Sequence, residues 1–320
     1  MPDHAGLTFC FLIDKPEDLT PRMDTSLLLA SECYKRGHTV LMATRDEIYV
    51  HDDKVHVRWW RSRYRDGDDV AASLEPTDAV ALHDFPHLIL MRKDPPVDTS
   101  YVALVQILTR AQARIINEPS LLITANEKML PLAGPYRVPD TYVSNNPAFI
   151  EDTVSRSGSK WVIKPTNDKG GADVFIVGPD YKETPDLIRR VTVNGTTTAI
   201  FQPFLDAVRE GDKRIFLLSG EPIGWMNRVP KKDDFRANVH LGATPLPCSL
   251  TQRDRDICAW VASILPPDKV PLIALDIIGG FLTEVNITSP SGIPEINQVM
   301  NARLQTVIVD AMEIMTAEFA

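Results

Sequence analysis

The stretch from residue 7 to residue 44 admits few folds. "LTFCFLI" (7–13) is short, continuous and apolar, the pattern of a buried strand. Asp24 and Thr25 can cap a helix running through "SLLLASECYKR", and Gly37 stands where such a helix stops. "TVLMAT" (39–44) is a second buried strand. Strand, helix and strand within about forty residues form a βαβ unit. The first segment therefore predicts a parallel sheet and an α/β class.

Further along, "HLILM" (87–91) supplies a strand ending at "RKDPP", and "TSYVALVQILTRAQARI" (99–115) has the apolar spacing of a helix. Near residue 118 the character changes. "NEPSLLITANEKMLPL" opens with a proline and a helix, and "YRVPDTYVSNNP" reads as a polar linker. "KWVIKPTNDKGGADVFIVGPD" (160–180) predicts two strands joined by a polar loop, and "TTAIFQPFLD" one strand more. "DKRIFLLSGEPIGWMNRVP" predicts a hairpin with Ser219-Gly220 near its turn. Residues 229–251 are polar and aperiodic, which predicts a long loop; such loops are usually functional or disordered.

With 320 residues the chain is long enough for two or three packed units. Its net charge of −9 argues against a nucleic-acid partner, so an anionic ligand must meet a local basic cluster. The four cysteines contain no C-x-x-C pair, and Cys10 sits in an apolar run, a pattern that suits a reducing compartment without disulfides. The N-terminus has no basic n-region, and no apolar stretch reaches the roughly 18 residues that span a bilayer. The expected location is cytoplasmic, with no membrane partner.

"DIIGGFLTEVNITSP" (276–290) carries Asp276, Glu284 and Asn286 within two apolar strands joined through Gly279-Gly280. Glu284 and Asn286 share one face of a regular strand. A two-residue turn pairs position 276 with 283 and sends Asp276 to the opposite face; a three-residue connection pairs 276 with 284 and brings the groups together. Two carboxylates and a carboxamide are hard oxygen donors suited to Mg²⁺ bridging phosphate oxygens. A solvent-facing polar stripe on an edge strand fits the same spacing. The apolar residues on both faces favour the metal, because burying two carboxylates without a cation costs several kcal/mol.

No G-x-x-x-x-G-K-[ST] or G-x-G-x-x-G motif is present, so phosphate contacts must come from elsewhere. The candidates are Lys128 in "NEKM", Lys164 in the apolar strand "VIKP", and the loop holding Gly170-Gly171. Lys164 needs an anionic partner or an escape to the strand end. The glycine pair suits backbone contact with phosphate and suits a plain turn equally.

Taken together, Lys-x-Pro before a Gly-Gly loop, a strand into "QPFL", then "GDKR", then an Asp…Glu-x-Asn hairpin resemble the ATP-grasp carboxylate–amine ligases. "LILMRKDPP", "NEK", "IKP…GGA", "GDKRIF", "RANV" and "LDIIG…LTEVNITSP" are similar to the bacterial glutathione synthetase family, in collinear order across the chain. The resemblance implies an α/β (α+β) ATP-grasp fold with an N-terminal Rossmann-like parallel-sheet domain. It implies a Rossmann-like domain at 1–120, a central lid subdomain at 121–200, and a C-terminal subdomain with the metal and substrate site at 201–320. The implied activity is ATP-dependent joining of γ-glutamylcysteine and glycine through an acyl phosphate, giving glutathione, ADP and phosphate, in a homo-oligomer.

By the same resemblance Asp276, Glu284 and Asn286 hold Mg²⁺, with Mn²⁺ as the alternative ion. Lys128, Lys164, Gly170 and Gly171 contact the phosphates of ATP. Gln202, Pro203, Phe204 and Leu205 form the adenine hinge, and Asp212 accepts from the ribose. Arg214 stabilises the charge that develops in the reaction. Arg228, Arg236, Asn238 and Ser289 bind substrate, and Arg236, on a closing lid, is catalytic as well. Two departures are the motive for an alternative, a related ATP-grasp ligase coupling a different amino acid or peptide. The family's phosphate loop usually reads Asp-Gly-x-Gly-Gly where this chain has Asn167-Asp168-Lys169-Gly170-Gly171, and His240 and Leu241 replace small residues after Arg-x-Asn.

Overall fold

The computed structural model describes residues 6–20, 23–63, 74–168, 171 and 173–317. Among the described residues the chain forms three sheets, each from a consecutive part of the sequence.

The first sheet follows from the opening βαβ unit. Strand β1 (Thr8–Leu12) leads through helix α1 (Thr25–Lys35) to β2 (Thr39–Ala43), parallel to β1. Asp24 caps α1 by accepting from the Leu27 N–H at 2.8 Å, and Gly37, at φ 84°, closes its C-terminus. Strands β3 (Ile48–His51), β4 (Lys54–Ser62) and β5 (Leu74–Ala81) then extend the sheet with antiparallel pairs. Strand β6 (His83–Met91) returns to the other side of β1, followed by α2 (Thr99–Leu108), β7 (Gln112–Ile116) and the short helix α3 (Pro119–Thr124). The helix predicted over 99–115 therefore ends at Leu108, and its last four residues, 112–115, lie in a parallel strand. Ile115 and Ile116 are buried beside β6, and a short apolar run fits either element by spacing alone.

The second sheet is antiparallel and built from β8 (Tyr142–Ser144), β9 (Trp161–Pro165), β10 (Phe175–Val177) and β11 (Ala199–Pro203), with helices α4 (Pro147–Ser157) and α5 (Thr184–Val191). Its core, from Ile150 to Phe201, is separate from the other two clusters. The polar linker predicted before it contains β8, whose three residues are held by pairing with β11.

The third sheet has β12 (Asp212–Leu218) and β13 (Glu221–Val229) as a hairpin. Ser219 and Gly220 both have positive φ in its two-residue turn. Strand β14 (Thr244–Leu246), helix α6 (Gln252–Ile264), and the hairpin of β15 (Leu272–Ile278) and β16 (Phe281–Asn286) complete it. Helices α7 (Ile293–Met300) and α8 (Leu304–Ala317) close the chain against α1. The loop expected after Val229 thus includes a short strand, β14, paired with the end of β13. The first and third sheets share two continuous cores, so they pack as one body beneath the second. No helix among the described residues is long and apolar enough to cross a membrane, and the four cysteines are free thiols.

Candidate active site

Strand order places the site. Strand β1 lies between β2 and β6, so the chain leaves it on both sides, and in open α/β sheets ligands collect outside the carboxyl ends at such a switch point. Asp14 follows β1 and Arg92 follows β6, and both line a cleft of about 760 Å³ that continues between the second and third sheets.

The β15–β16 hairpin forms the floor. Gly279 and Gly280 make a two-residue turn, both at positive φ, and Ile278 pairs with Phe281 and Ile277 with Leu282. A bulge then inserts Thr283, so Asp276 pairs with Glu284. In a regular hairpin that pairing needs the three-residue loop expected above; the chain instead keeps the tight turn and shifts register inside the strand. Leu282 thereby faces the core, 1% exposed, while Glu284 faces the cleft. The bulged residue is also used. Thr283 Oγ1 donates to the Asp276 carbonyl at 3.1 Å, and Lys164 Nζ reaches the Thr283 carbonyl at 3.5 Å.

Asp276 is buried, and burial alone would raise its pKa. Arg214 outweighs that with two hydrogen bonds at 2.7 and 2.8 Å, and Arg228 adds a contact at 2.8 Å, so the carboxyl is held well below its usual range. Asn286 Nδ2 donates to the Ala274 carbonyl at 3.2 Å and to Asp276 at 3.4 Å, which leaves its oxygen as the accepting end. Glu284 sits 3.1 Å from Lys128 Nζ, which also donates to the Asp168 carbonyl. Burial pushes Lys164 down, whereas Glu284 and Glu127 overcome burial and raise Lys128. Asp212 accepts from Arg228 at 2.6 Å, yet its burial, with Asp276 nearby, pushes it up to about 6.

Every predicted site residue among the described ones lines this cleft. Of the residues expected to meet phosphate, Lys128, Lys164 and Gly171 line it; Gly170 lies outside the described residues. Gln202, Pro203, Phe204 and Leu205 run along the wall at the end of β11. Arg214 and Arg228 rise from β12 and β13. Arg236 is gripped by the Asp234 carboxylate at 2.8 to 3.2 Å and donates to the Gly171 carbonyl at 3.3 Å. Asn238 accepts from the His240 N–H at 2.9 Å, and Ser289 Oγ donates to the Arg92 carbonyl at 3.2 Å.

Residues beyond the expected set also fix this arrangement. Glu127 accepts from Ile287 N, Thr288 N and Thr288 Oγ1 at 2.6 to 2.9 Å, tying the Lys128 turn to the end of β16. Arg92 donates to the Pro290 carbonyl at 2.9 Å, and Arg214 to that of Ser291 at 3.0 Å, so arginines from two sheets hold one turn. Arg92 was legible in "LMRKDPP" as a charge at the end of an α/β strand. Four buried polar atoms without a hydrogen-bond partner among the described residues line the cleft: Arg92 Nη1, Asp212 Oδ1, Arg228 Nε and Glu295 Oε2. Buried polar atoms are nearly always paired, so these fit a polar ligand.

Three sheets around such a cleft define an ATP-grasp fold, and solved structures superpose on it. D-cycloserine synthetase DcsG aligns with a TM-score of 0.67 at 15% identity, covering 95% of this chain and 99% of its own. The ATP-grasp ligase PsnB complexed with minimal precursor gives 0.61 at 15% identity, covering 96% and 98%. Within that fold the sequence is more specific. Residues 7–122 match the family model for the prokaryotic glutathione synthetase N-terminal domain, and residues 127–301 match that family's ATP-grasp domain. The glutathione synthetase of Gloeobacter violaceus (strain ATCC 29082 / PCC 7421) is 36% identical over 308 residues, covering 94% of each chain. That of Synechococcus elongatus (strain ATCC 33912 / PCC 7942 / FACHB-805) is 34% identical over 320 residues, covering 96% of this chain and 98% of its own. The chain belongs to the prokaryotic glutathione synthetase family.

Proposed function

We infer that this protein joins γ-glutamylcysteine and glycine at the expense of ATP. The observation that carries the reading is the cleft itself. Asp276 and Glu284 are paired beside Asn286, ringed by Lys128, Lys164, Arg214 and Arg228, in a chain of this family. Asp276, Glu284 and Asn286 are a donor set of hard oxygens that would hold Mg²⁺, or Mn²⁺, which supplies neutralising charge between ATP phosphates. PsnB has been solved with Mg and ADP.

The chain's own residues bind, orient and exclude water. Lys128 and Lys164 would meet the phosphates, and the Pro203–Leu205 backbone would take the adenine edge. Asp212 Oδ1, which has no hydrogen-bond partner among the described residues, fits a ribose hydroxyl. The peptide's C-terminal carboxylate oxygen takes the terminal phosphoryl group and ADP leaves. The amine of glycine then attacks the acyl carbon and phosphate leaves. Arg214, fixed by three hydrogen bonds, keeps a guanidinium beside the developing charge. Arg228, Arg236, Asn238 and Ser289 would orient the peptide, and Arg236 would bring its loop over the cleft against hydrolysis of the acyl phosphate. Four free thiols agree with a reducing, cytoplasmic setting.

ATP consumption with γ-glutamylcysteine and each amino acid in turn is the test. Phosphate release with glycine supports the reading; release with another amine alone replaces it. The alternative acceptor is not favoured, since the relatives described are named glutathione synthetase.

A further inference from the structure

The segment 234–236 touches both walls of the cleft with adjacent residues. Arg236 reaches the Gly171 carbonyl on the phosphate side at 3.3 Å. Phe235 instead meets Phe204, with ring centroids 5.8 Å apart and planes at 68°, an edge-to-face contact. Phe204 is itself held at the hinge, its N–H donating to the Lys160 carbonyl at 2.9 Å and Lys160 Nζ lying 5.6 Å from its ring. Phe204 and Phe235 both line the cleft, beside Gln202, Pro203 and Leu205.

We propose that Phe235 is a positioning residue that couples closure of the 230–241 loop to the presence of a nucleobase at the hinge. The proposal rests on the nucleotide reading above. A base along Pro203–Leu205 offers Phe235 a flat aromatic partner in place of the single edge of Phe204. Aromatic stacking on a base is worth more than one edge contact. Once Phe235 is seated, Arg236 is carried on the same three-residue clamp and its guanidinium is fixed next to the phosphate loop. The loop thus reports on the base through residue 235 and acts on the reacting end through residue 236. Phosphate alone engages only the second of these contacts.

Trypsin reads the loop directly, because Lys231, Lys232 and Arg236 are cleavage points within it. The full-length protein is digested alone, with Mg²⁺ and ATP, and with Mg²⁺ and inorganic tripolyphosphate, which lacks the base. ATP should protect the loop and tripolyphosphate should not. In Phe235→Ala the loop should be cut at the ligand-free rate even at saturating ATP, and ATP should bind about tenfold more weakly by calorimetry, with tripolyphosphate affinity unchanged. Phe235→Trp should restore both protection and affinity, which a merely structural role does not require. Equal protection and equal ATP affinity in Phe235→Ala overturn the proposal, as does equal protection of the unsubstituted protein by tripolyphosphate. If the folded, unsubstituted protein binds no ATP at all, the nucleotide reading itself falls and takes this proposal with it.

Discussion

Glu284→Gln isolates charge from shape at the floor of the cleft. The substitution keeps the volume, and the amide still lies opposite Asp276 in the bulged register. Two things are lost. A divalent ion loses one of its two anionic donors, and charge neutralisation by a bound metal is worth several kcal/mol in a phosphoryl-transfer transition state. At 1.36 kcal/mol per decade this predicts a fall in kcat/KM on the order of 10³-fold. Lys128 also loses its partner at 3.1 Å, but Glu284 is 21% exposed and Lys128 retains the Asp168 carbonyl. The cost to folding is then roughly 1 kcal/mol, or about 2–4 °C in Tm. A coupled ADP assay across a Mg²⁺ titration, run beside scanning calorimetry, separates the two effects. Turnover within about threefold of the unsubstituted protein would refute the reasoning, for the carboxylate would then be structural. A fall in Tm far above the stated range would refute it differently, by showing that the Lys128 pair holds the fold.

Removing a partner of Asp276 tests the other side of the hairpin. Arg214→Met should cost about 3 kcal/mol, the low end for breaking a buried pair because Arg228 stays beside Asp276, and Arg214→Met/Asp276→Asn should recover part of that in a denaturant titration. A double variant no more stable than the single one would mean that the pair is not coupled. Asp212, ordinarily near 3.8 and pushed up to about 6, holds its proton more tightly when folded, so its contribution to stability is full at low pH and is lost as pH rises through that window. Asp212→Asn should remove this downward slope between pH 4 and 6 in urea midpoints, and an unaltered slope would assign it to another group. Arg236→Ala should raise the KM for γ-glutamylcysteine and also the ratio of ADP to product, measured in the same reaction; unchanged coupling would make the loop an ordinary surface excursion.

The parts of the fold that local chemistry decides were legible. Asp24 and Gly37 bound α1 because capping is a matter of neighbouring residues, and the apolar runs around them have only one buried use. Residues 112–115 were misread because "QARI" adjoins a real helix, and only the vacant edge of β6 turns it into a strand. The pairing of Asp276 with Glu284 was anticipated, but its cause was not. A bulge has no spacing signature of its own, and "FLTEVN" alternates as though it were regular. Lys164 could be recognised as a buried ammonium in need of a partner, whereas its contact with the Thr283 carbonyl depends on that bulge. Glu127 escaped for a related reason, since its bonds to Ile287 and Thr288 cross a boundary between units that no local pattern records.

The pairing of Asp276 and Glu284 with Arg214, Arg228 and Lys128 makes the cleft its own electrolyte. Lys128, Arg214 and Arg228 each already have a counter-ion supplied by the chain, while Lys164 has only the Thr283 carbonyl, so loading the site is largely an exchange of partners within a fixed framework rather than the filling of a bare basic pocket. An incoming phosphate competes with carboxylates for the same cations, and an incoming divalent ion competes with cations for the same carboxylates. Either one arriving alone displaces a counter-ion and strands it, while both together leave every charge matched. Metal and nucleotide are thereby disposed to enter jointly. Because little net charge is gained in the swap and the pairs are buried, affinity should change only shallowly with ionic strength, despite the number of charged groups involved.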